Sequence, residues 1–171
     1  MRIYLVGYSY GGKTTIGRQL AALMGMDFVD TDSAIEEKYH TTVPIFFDHY
    51  GEQAFRVVER GILHSVACKD NAVIATGGGL PCSGDNMDFI VQSGIAVYFR
   101  MTVDEILHRA VKGRKRRPLL YGLDDGQRRE TVQKMLDERE PYYMRAQLTV
   151  DAEGLTAETL AAQLKSYMSN Q

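Results

Sequence analysis

The fold class of this chain is decided by one segment, Gly7-Tyr-Ser-Tyr-Gly-Gly-Lys-Thr14, which directly follows the apolar run Ile3–Val6. Glycine, four residues, glycine, lysine and threonine is the spacing of a phosphate-binding loop between a strand and a helix. In such a loop, backbone N–H groups and the helix N-terminus attract phosphate. The segment therefore predicts a nucleotide site, in which Lys13 reaches the β and γ phosphates and Thr14 binds Mg²⁺. The alternative is a glycine-rich turn without a ligand.

Tyr10 departs from the usual composition of this loop, because many small P-loop kinases have glycine there. Glycine suits any φ and lets the backbone approach phosphate closely. A tyrosine must keep φ negative or accept strain, and its ring has to lie outside the cradle. We therefore expect a working loop with altered packing at its outer edge.

Composition bounds the remaining possibilities. The 171 residues fit one domain, and 44% apolar and 25% charged residues are ordinary for a globular protein. A net charge of −2 excludes a molecule built as a whole to bind nucleic acid or an acidic membrane. Cys68 and Cys82 match no metal-ligand spacing and are expected to stay reduced and non-catalytic. No targeting segment or apolar run of about 20 residues is present, so we expect a cytoplasmic protein without a membrane partner.

Hydrophobic periodicity predicts strands that alternate with helices along the whole chain. The expected strands are Arg2–Val6, Phe28–Val29, Ala72–Thr76, Ile95–Met101 and Leu148–Val150. The expected helices are Lys13–Met24, one opened by a capping box at Ser33–Glu36, Pro44–Lys69 in two pieces broken near Gly51, one opened by a capping box at Thr102–Glu105, Gln127–Arg145 apart from Pro141, and Thr156–Met168. Such alternation predicts an α/β domain with a parallel sheet covered on both faces, and ligands beyond the carboxyl ends of its strands.

The segment Asp30-Thr31-Asp32 ends the second predicted strand. Two carboxylates at i and i+2 point the same way on an extended chain, toward the edge where the phosphate loop lies. One can hold Mg²⁺ through water while the other orients, or accepts a proton from, an attacking hydroxyl. The alternative is that Asp32 or Ser33 only caps the following helix.

Six segments in order give the chain a resemblance to the shikimate kinases, a family of the nucleoside-monophosphate-kinase-like P-loop group. They are GYSYGGKTTIGRQLA, FVDTDSAIE, GEQAFRVVE, ATGGGLP, RRPLL and EREPYY, and they span nearly the whole chain. The resemblance implies a P-loop kinase fold, which is a three-layer α/β/α domain over residues 1–171 with a five-stranded parallel sheet in the order 2-3-1-4-5. It also implies substrate-binding helices at about 33–61 and a mobile lid at about 112–126.

The same resemblance implies an activity, namely ATP-dependent phosphorylation of the 3-hydroxyl of shikimate in aromatic amino-acid biosynthesis. Asp32 would be the general base, while Arg56 and Arg139 would clamp the substrate carboxylate, a task that suits the planar guanidinium group. Asp30 would help Thr14 to bind Mg²⁺ through water. The triple glycine Gly77, Gly78 and Gly79 would let the substrate approach the backbone closely. The implied nucleotide-binding residues are Tyr10, Gly11, Gly12, Lys13, Thr14, Thr15, Arg109 and Arg117.

Further alternatives exist for the arginines, the glycines and the basic run. Arg56 and Arg139 are surface residues in the simplest interpretation, and a triple glycine can be only a turn. We expect Glu59, three residues after Arg56, to orient that arginine.

The run Lys112–Arg117 carries five cations in six residues, which is typical of a solvated loop or an anion site. The resemblance favours the anion site, with Arg117 on ATP phosphate beside the catalytic Lys13 and Asp32.

Three other functions compete with a shikimate kinase. They are a kinase for another small polyol acid such as gluconate, a catalytically silent nucleotide-binding module, and a nucleic-acid-binding protein. The triple glycine and the two arginines favour shikimate over gluconate. The Asp30–Asp32 pair argues against a silent module, and the confinement of positive charge to one loop argues against nucleic acid. We expect a monomer whose partners are shikimate and ATP.

Overall fold

The computed structural model describes residues 1–112, 120 and 122–170. Five strands form one parallel sheet in the order β2-β3-β1-β4-β5, which confirms the predicted order. The strands are β1 Arg2–Val6, β2 Asp27–Asp30, β3 Ala72–Ala75, β4 Ile95–Arg100 and β5 Leu148–Asp151. The α-helices of the described part are α1 Lys13–Met24, α2 Thr31–Tyr39, α3 Val43–Val66, α4 Asn86–Ser93, α5 Val103–Lys112, α6 Asp125–Tyr143 and α7 Ala157–Ser169.

The central strand β1 shows why the sheet is covered on both faces. Successive side chains of a strand point to opposite faces. Ile3 and Leu5 enter one buried cluster together with residues of α1 and α7, whereas Tyr4 and Val6 enter a second cluster with residues of α3 and α4. All four side chains are fully buried, so the unbroken apolar run of β1 reflects two cores rather than one.

Two predicted helix features are confirmed. The helix Val43–Val66 has non-helical dihedral angles at Gly51, where φ is 78° and ψ is 171°. Before this break, the ring of Phe46 packs against Tyr39 and Tyr50 at centroid distances of 5.3 and 4.8 Å. At the start of α5, Glu105 N–H donates to Thr102 Oγ1 and Thr102 N–H donates to the Glu105 carboxylate, so the predicted capping box is present.

The predicted N-cap of α2, Ser33, is wrong by three residues. The helix begins at Thr31, and its N-cap is Asp30, whose Oδ1 accepts hydrogen bonds from the N–H groups of Asp32 and Ser33. Glu36 does not complete a capping box with Ser33, because its Oε1 accepts from Val43 N–H instead. Asp32 therefore lies in the first helical turn, and the extended geometry that we expected for Asp30 and Asp32 does not occur.

Among the residues that the structure describes, no helix is both long enough and apolar enough to cross a membrane. The basic segment predicted as a lid lies mostly outside the described residues, which resume continuously at Gly122. The helix α6 already begins at Asp125, with Asp124 and Gln127 forming a capping box. The last two residues of the predicted lid are therefore helical.

Candidate active site

The phosphate loop joins β1 to α1 as its spacing predicts. Gly12 has a φ of 81° and is the N-cap of α1. The ammonium group of Lys13 is buried and donates to the carbonyl oxygens of Gly7 and Tyr8, at 2.8 and 2.7 Å. Both of these acceptors are neutral carbonyl oxygens.

Tyr10 accepts backbone strain, which is one of the two outcomes that the sequence allowed. Its φ is 70°, in the left-handed region, which costs an ordinary L-residue about 1–2 kcal/mol. Its half-buried side chain packs against the core cluster that contains Leu5 and Phe99. The ring therefore packs on the core cluster, while altered packing of the loop relative to one with glycine at this position stays a prediction.

Thr14 and Asp30 lie together beside the loop. The hydroxyl of Thr14 donates to Asp30 Oδ2 at 2.6 Å, while Asp30 Oδ1 caps α2. This pair supplies adjacent hydroxyl and carboxylate oxygens, the donor type that Mg²⁺ prefers. The residues present therefore fit the magnesium site predicted from the sequence. Thr15 follows Thr14 in the first turn of α1 and is exposed.

The triple glycine after β3 is surrounded by the predicted substrate residues. A Cβ atom on Gly77 would lie 2.5 Å from Asp32 Oδ1, and one on Gly79 would lie 2.6 Å from Arg56 Nη1. A Cβ atom on Gly78 would lie 3.4 Å from Arg139 Nη1. None of these three glycines has a φ in the left-handed region. At Gly77 and Gly79 a side chain is therefore disfavoured by the close approach of Asp32 and Arg56 rather than by the backbone conformation.

The phosphate loop adjoins this glycine run directly. A Cβ atom on Gly78 would lie 3.1 Å from the Oγ of Ser9, which is buried within the loop. At the carboxyl ends of the strands, Lys13 thus lies on the side of the phosphate loop. Asp32, Arg56 and Arg139 lie on the side of the glycine run. The structure brings these four predicted residues to one region, at the carboxyl ends of β1, β2 and β3.

Glu59 holds the guanidinium group of Arg56, as its position three residues along α3 predicts. Its carboxylate accepts from Arg56 Nη1 at 2.5 Å and is only 2% exposed, while the exposed Glu52 accepts from Nη2 at 3.1 Å. Burial raises the pKa of Glu59 to about 7, with Asp32 adding to the rise, although Arg56 and Arg139 act against it. Burial lowers the pKa of Arg56, but the two glutamates outweigh it and leave that pKa raised.

Arg109 reaches the phosphate loop from α5. Its Nη1 donates to the carbonyl of Tyr10 at 3.1 Å, and its Nη2 donates to the carbonyl of Ala152, just after β5, at 2.9 Å. The predicted nucleotide residue therefore contacts the loop backbone. Arg117, the other predicted cation, lies outside the described residues.

Three contacts in the site were missed by the analysis of the sequence. They are the packing of Ser9 against Gly78, the hydrogen bond from Gly77 N–H to Thr31 Oγ1 at 3.0 Å, and the one from Tyr143 Oη to the Gly78 carbonyl at 2.6 Å. A signal existed for Tyr143, because it lies four residues after Arg139 on one helix face. Burial raises the pKa of the Tyr143 hydroxyl above its usual range, so it stays a donor.

Cys82 lies at the edge of this region and is half-buried. Its Sγ is 4.0 Å from the carbonyl oxygens of Gly78 and Arg139. Burial raises the pKa of its thiol to about 11, so the reactive thiolate is disfavoured at neutral pH. Cys68 is exposed. Neither cysteine is bound in a disulfide.

Comparisons with known proteins agree with this geometry. The family model described as "Shikimate kinase" matches residues 11–169. A shikimate kinase of Parabacteroides distasonis is 42% identical over 158 residues, which cover 92% of this chain and 91% of that protein. The crystal structure of a shikimate kinase from Bacteroides thetaiotaomicron superimposes with a TM-score of 0.92 at 36% identity, covering 99% of this chain and 98% of that one. A shikimate kinase from Acinetobacter baumannii in complex with shikimate has a TM-score of 0.88 at 37% identity, covering 99% and 94%.

Proposed function

Since the chain belongs to the shikimate kinase family, we propose that ATP phosphorylates the 3-hydroxyl of shikimate beside the glycine run Gly77–Gly79. The reaction itself, an ATP-dependent phosphorylation of shikimate in aromatic biosynthesis, follows from family membership. The proposal concerns the residues that carry it. Its main support is that Asp32, Arg139 and Arg56 approach three consecutive glycines in turn.

The nucleotide half of the site is the phosphate loop. The buried ammonium group of Lys13 would exchange its two carbonyl acceptors for the β and γ phosphates of ATP, while loop N–H groups bind the other phosphate oxygens. Thr14 and Asp30 would hold Mg²⁺, Asp30 through water because its Oδ1 is already engaged as the cap of α2. When bound, Mg²⁺ neutralises charge on the phosphates. Gly11, Gly12 and Thr15 complete the loop.

The shikimate half is the region around the triple glycine. Arg56 and Arg139 would bind the carboxylate of shikimate through guanidinium groups that point toward Gly79 and Gly78. The carboxylate would then lie at one end of the glycine run, and the other end, at Gly77, would be left for a hydroxyl. There Asp32 Oδ1 would accept the proton of the 3-hydroxyl as its oxygen attacks the γ-phosphorus. The product would be shikimate 3-phosphate, with ADP as the leaving group.

Arg117 and Arg109 are proposed to act on the nucleotide as well. Arg117 would bind ATP phosphate, by analogy with the arginine before Pro-Leu-Leu in the family. The planar guanidinium of Arg109 is fixed by two carbonyl oxygens. The resemblance to the family implies that its face would flank the adenine ring.

We further propose that the protein is a cytoplasmic monomer that binds neither nucleic acid nor a membrane. The net charge of −2 supports the absence of nucleic acid as a partner. The lack of a membrane-spanning helix in the described residues is consistent with this location.

A coupled assay tests the proposed function directly. ADP release is followed with ATP and Mg²⁺, and with either shikimate or gluconate as acceptor. We expect turnover with shikimate and only background release with gluconate. Turnover with gluconate alone would overturn shikimate as the proposed substrate. Nucleotide binding without ADP release with either acceptor would show a catalytically silent nucleotide-binding module.

A further inference from the structure

Tyr10 has a backbone conformation that its own residue type does not explain. Two described residues other than glycine have a positive φ, Tyr10 at 70° and His40 at 53°. His40 is the C-cap of α2, where the N–H group of the left-handed residue bonds to the Glu36 carbonyl, a common helix ending. Tyr10 lies instead inside the phosphate loop. Neighbouring groups must therefore stabilise its peptide.

Arg109 contacts this peptide directly. It donates to the Tyr10 carbonyl through Nη1 and to the Ala152 carbonyl through Nη2. Ala152 is buried. Its N–H group donates to the carbonyl oxygen of Arg100 at 2.9 Å, which continues the pairing of β5 with β4. Arg109 thus connects the strained residue of the loop to a fixed part of the sheet. A Cβ atom on Gly12 would lie 3.9 Å from Nη1, so the guanidinium also reaches the last residue before Lys13.

The geometry points to Arg109 as a positioning residue for the phosphate loop: it holds the left-handed Tyr10 peptide in the orientation that binds the polyphosphate of a nucleotide. This inference rests on the proposed function, in which the loop binds ATP. The positioning role is additional to the proposed contact of Arg109 with adenine, because it acts through the backbone of residue 10. Both hydrogen-bond acceptors of Arg109 are neutral carbonyl oxygens.

The identity of residue 10 determines how much the loop needs Arg109. Without the two hydrogen bonds, a tyrosine favours negative φ, and rotation of its peptide reorients the carbonyl of residue 10 and the N–H group of Gly11. Only the fraction of molecules with the binding conformation then binds polyphosphate. The apparent Kd is inversely proportional to that fraction, so it rises as the fraction falls. Glycine adopts positive φ at little cost, so a loop with glycine at position 10 should depend on Arg109 much less.

A double-mutant cycle tests this coupling. Wild type, Arg109→Ala, Tyr10→Gly and the double variant are titrated calorimetrically with inorganic tripolyphosphate, which has no adenine, and with ADP. We expect Arg109→Ala to weaken tripolyphosphate binding about tenfold when residue 10 is tyrosine, as expected for unrelieved left-handed strain. In the Tyr10→Gly background the loss should fall to about threefold or less. The lost charge of Arg109 acts equally in both backgrounds and cancels from the comparison.

Two further variants keep the test decisive. Arg109→Lys retains the charge but loses the paired donors, and should show the same dependence on residue 10. Arg100→Ala removes a nearby exposed arginine that pairs with Asp151, and its effect should be the same with either residue at position 10. Thermal melting identifies any variant that is not folded, and Arg109→Lys then replaces Arg109→Ala in the cycle.

Equal losses from Arg109→Ala in both backgrounds would overturn the positioning role. The kinase assignment would survive that result, because it is judged by ADP release with shikimate. A wild-type protein that binds neither tripolyphosphate nor ADP would overturn both.

Discussion

The hydroxyl of Tyr143 donates a hydrogen bond to the carbonyl of Gly78 across 2.6 Å, and both residues are buried. Tyr143 lies one helical turn after Arg139, so a single face of α6 presents a guanidinium and a hydroxyl to the glycine run. The helix therefore supplies both a proposed substrate contact and a support for the backbone beside it.

Tyr143→Phe keeps the ring and removes this donor. The buried carbonyl of Gly78 loses a partner, so the free energy of unfolding should fall by about 1–3 kcal/mol. The KM for shikimate should rise more than the KM for ATP, because the affected peptide lies in the shikimate half. Urea unfolding and steady-state kinetics measure both effects. The matched control is Tyr142→Phe, next to it on the half-buried surface of α6, and equal behaviour of the two variants would contradict the supporting role.

Asp32→Asn removes the proposed general base but leaves its shape. Turnover should fall by roughly 10²-fold or more, the scale of general-base catalysis, while ADP affinity stays the same. The measurements are kcat from coupled ADP release and Kd from ADP titration. Asp27→Asn is the control, since Asp27 is exposed and pairs with Lys69 at the other end of β2. Unchanged turnover would remove Asp32 from the mechanism.

Arg139→Lys keeps the charge beside Gly78 but loses the planar pair of donors. The KM for shikimate should rise by at least about tenfold, corresponding to the loss of one charge-assisted hydrogen bond, with a smaller change in kcat. Arg129→Lys on the same helix is the control, because Arg129 pairs with Asp104 on the surface. A purely catalytic defect without a change in KM would contradict the proposed carboxylate contact.

Gly79→Ala inserts a methyl group 2.6 Å from the Arg56 guanidinium, which must move because that distance is below van der Waals contact. Its partner Glu59 is buried, so the displaced guanidinium loses a good ion pair, and the KM for shikimate should rise. Gly61→Ala is the matched control on α3, where a methyl group meets nothing within 4 Å. It should raise the stability of the helix by about 0.5–1 kcal/mol without affecting kinetics.

Glu59→Gln should alter how stability depends on pH. Burial raises the pKa of Glu59 from 4.5 to about 7 in the folded protein, so the folded state binds this proton more tightly than the unfolded state does. The stability that Glu59 contributes is complete below about pH 4.5 and is lost as the pH rises toward 7. Relative to wild type, the glutamine variant should therefore gain up to about 3 kcal/mol over this range.

Denaturant unfolding at several pH values between 4 and 8 measures that difference. The control is Glu52→Gln, which alters the exposed partner of the same guanidinium and should follow the wild-type pH dependence. A constant difference between Glu59→Gln and wild type across the range would show that the carboxyl of Glu59 does not titrate there.

Much of the fold could be predicted because it rests on local patterns. The apolar run of β1 and the glycines after it fix the first strand, loop and helix, and Gly51 marks the break in α3. The start of α2 could not be predicted in the same way. Asp30, Asp32 and Ser33 are all good N-cap residues, and only the position at which β2 ends selects Asp30.

The site was predictable where one residue type has a specific chemical use and less so where backbone geometry decides. Arg56 and Glu59 are three residues apart on a helix, so their contact follows from spacing. The left-handed φ of Tyr10 and its support by Arg109 join residues 99 positions apart. The sequence identified Tyr10 as unusual, but it held no local signal for the guanidinium that fixes its peptide.

The break at Gly51 divides α3 into two parts with different freedom to change. The part after the break carries Arg56 and its buried partner Glu59, where a substitution alters an ion pair. The part before it is anchored by the aromatic contacts of Phe46 with Tyr39 and Tyr50. Substitutions at exposed positions before the break, such as Ile45 and Asp48, should therefore leave both these aromatic contacts and the Arg56–Glu59 ion pair in place.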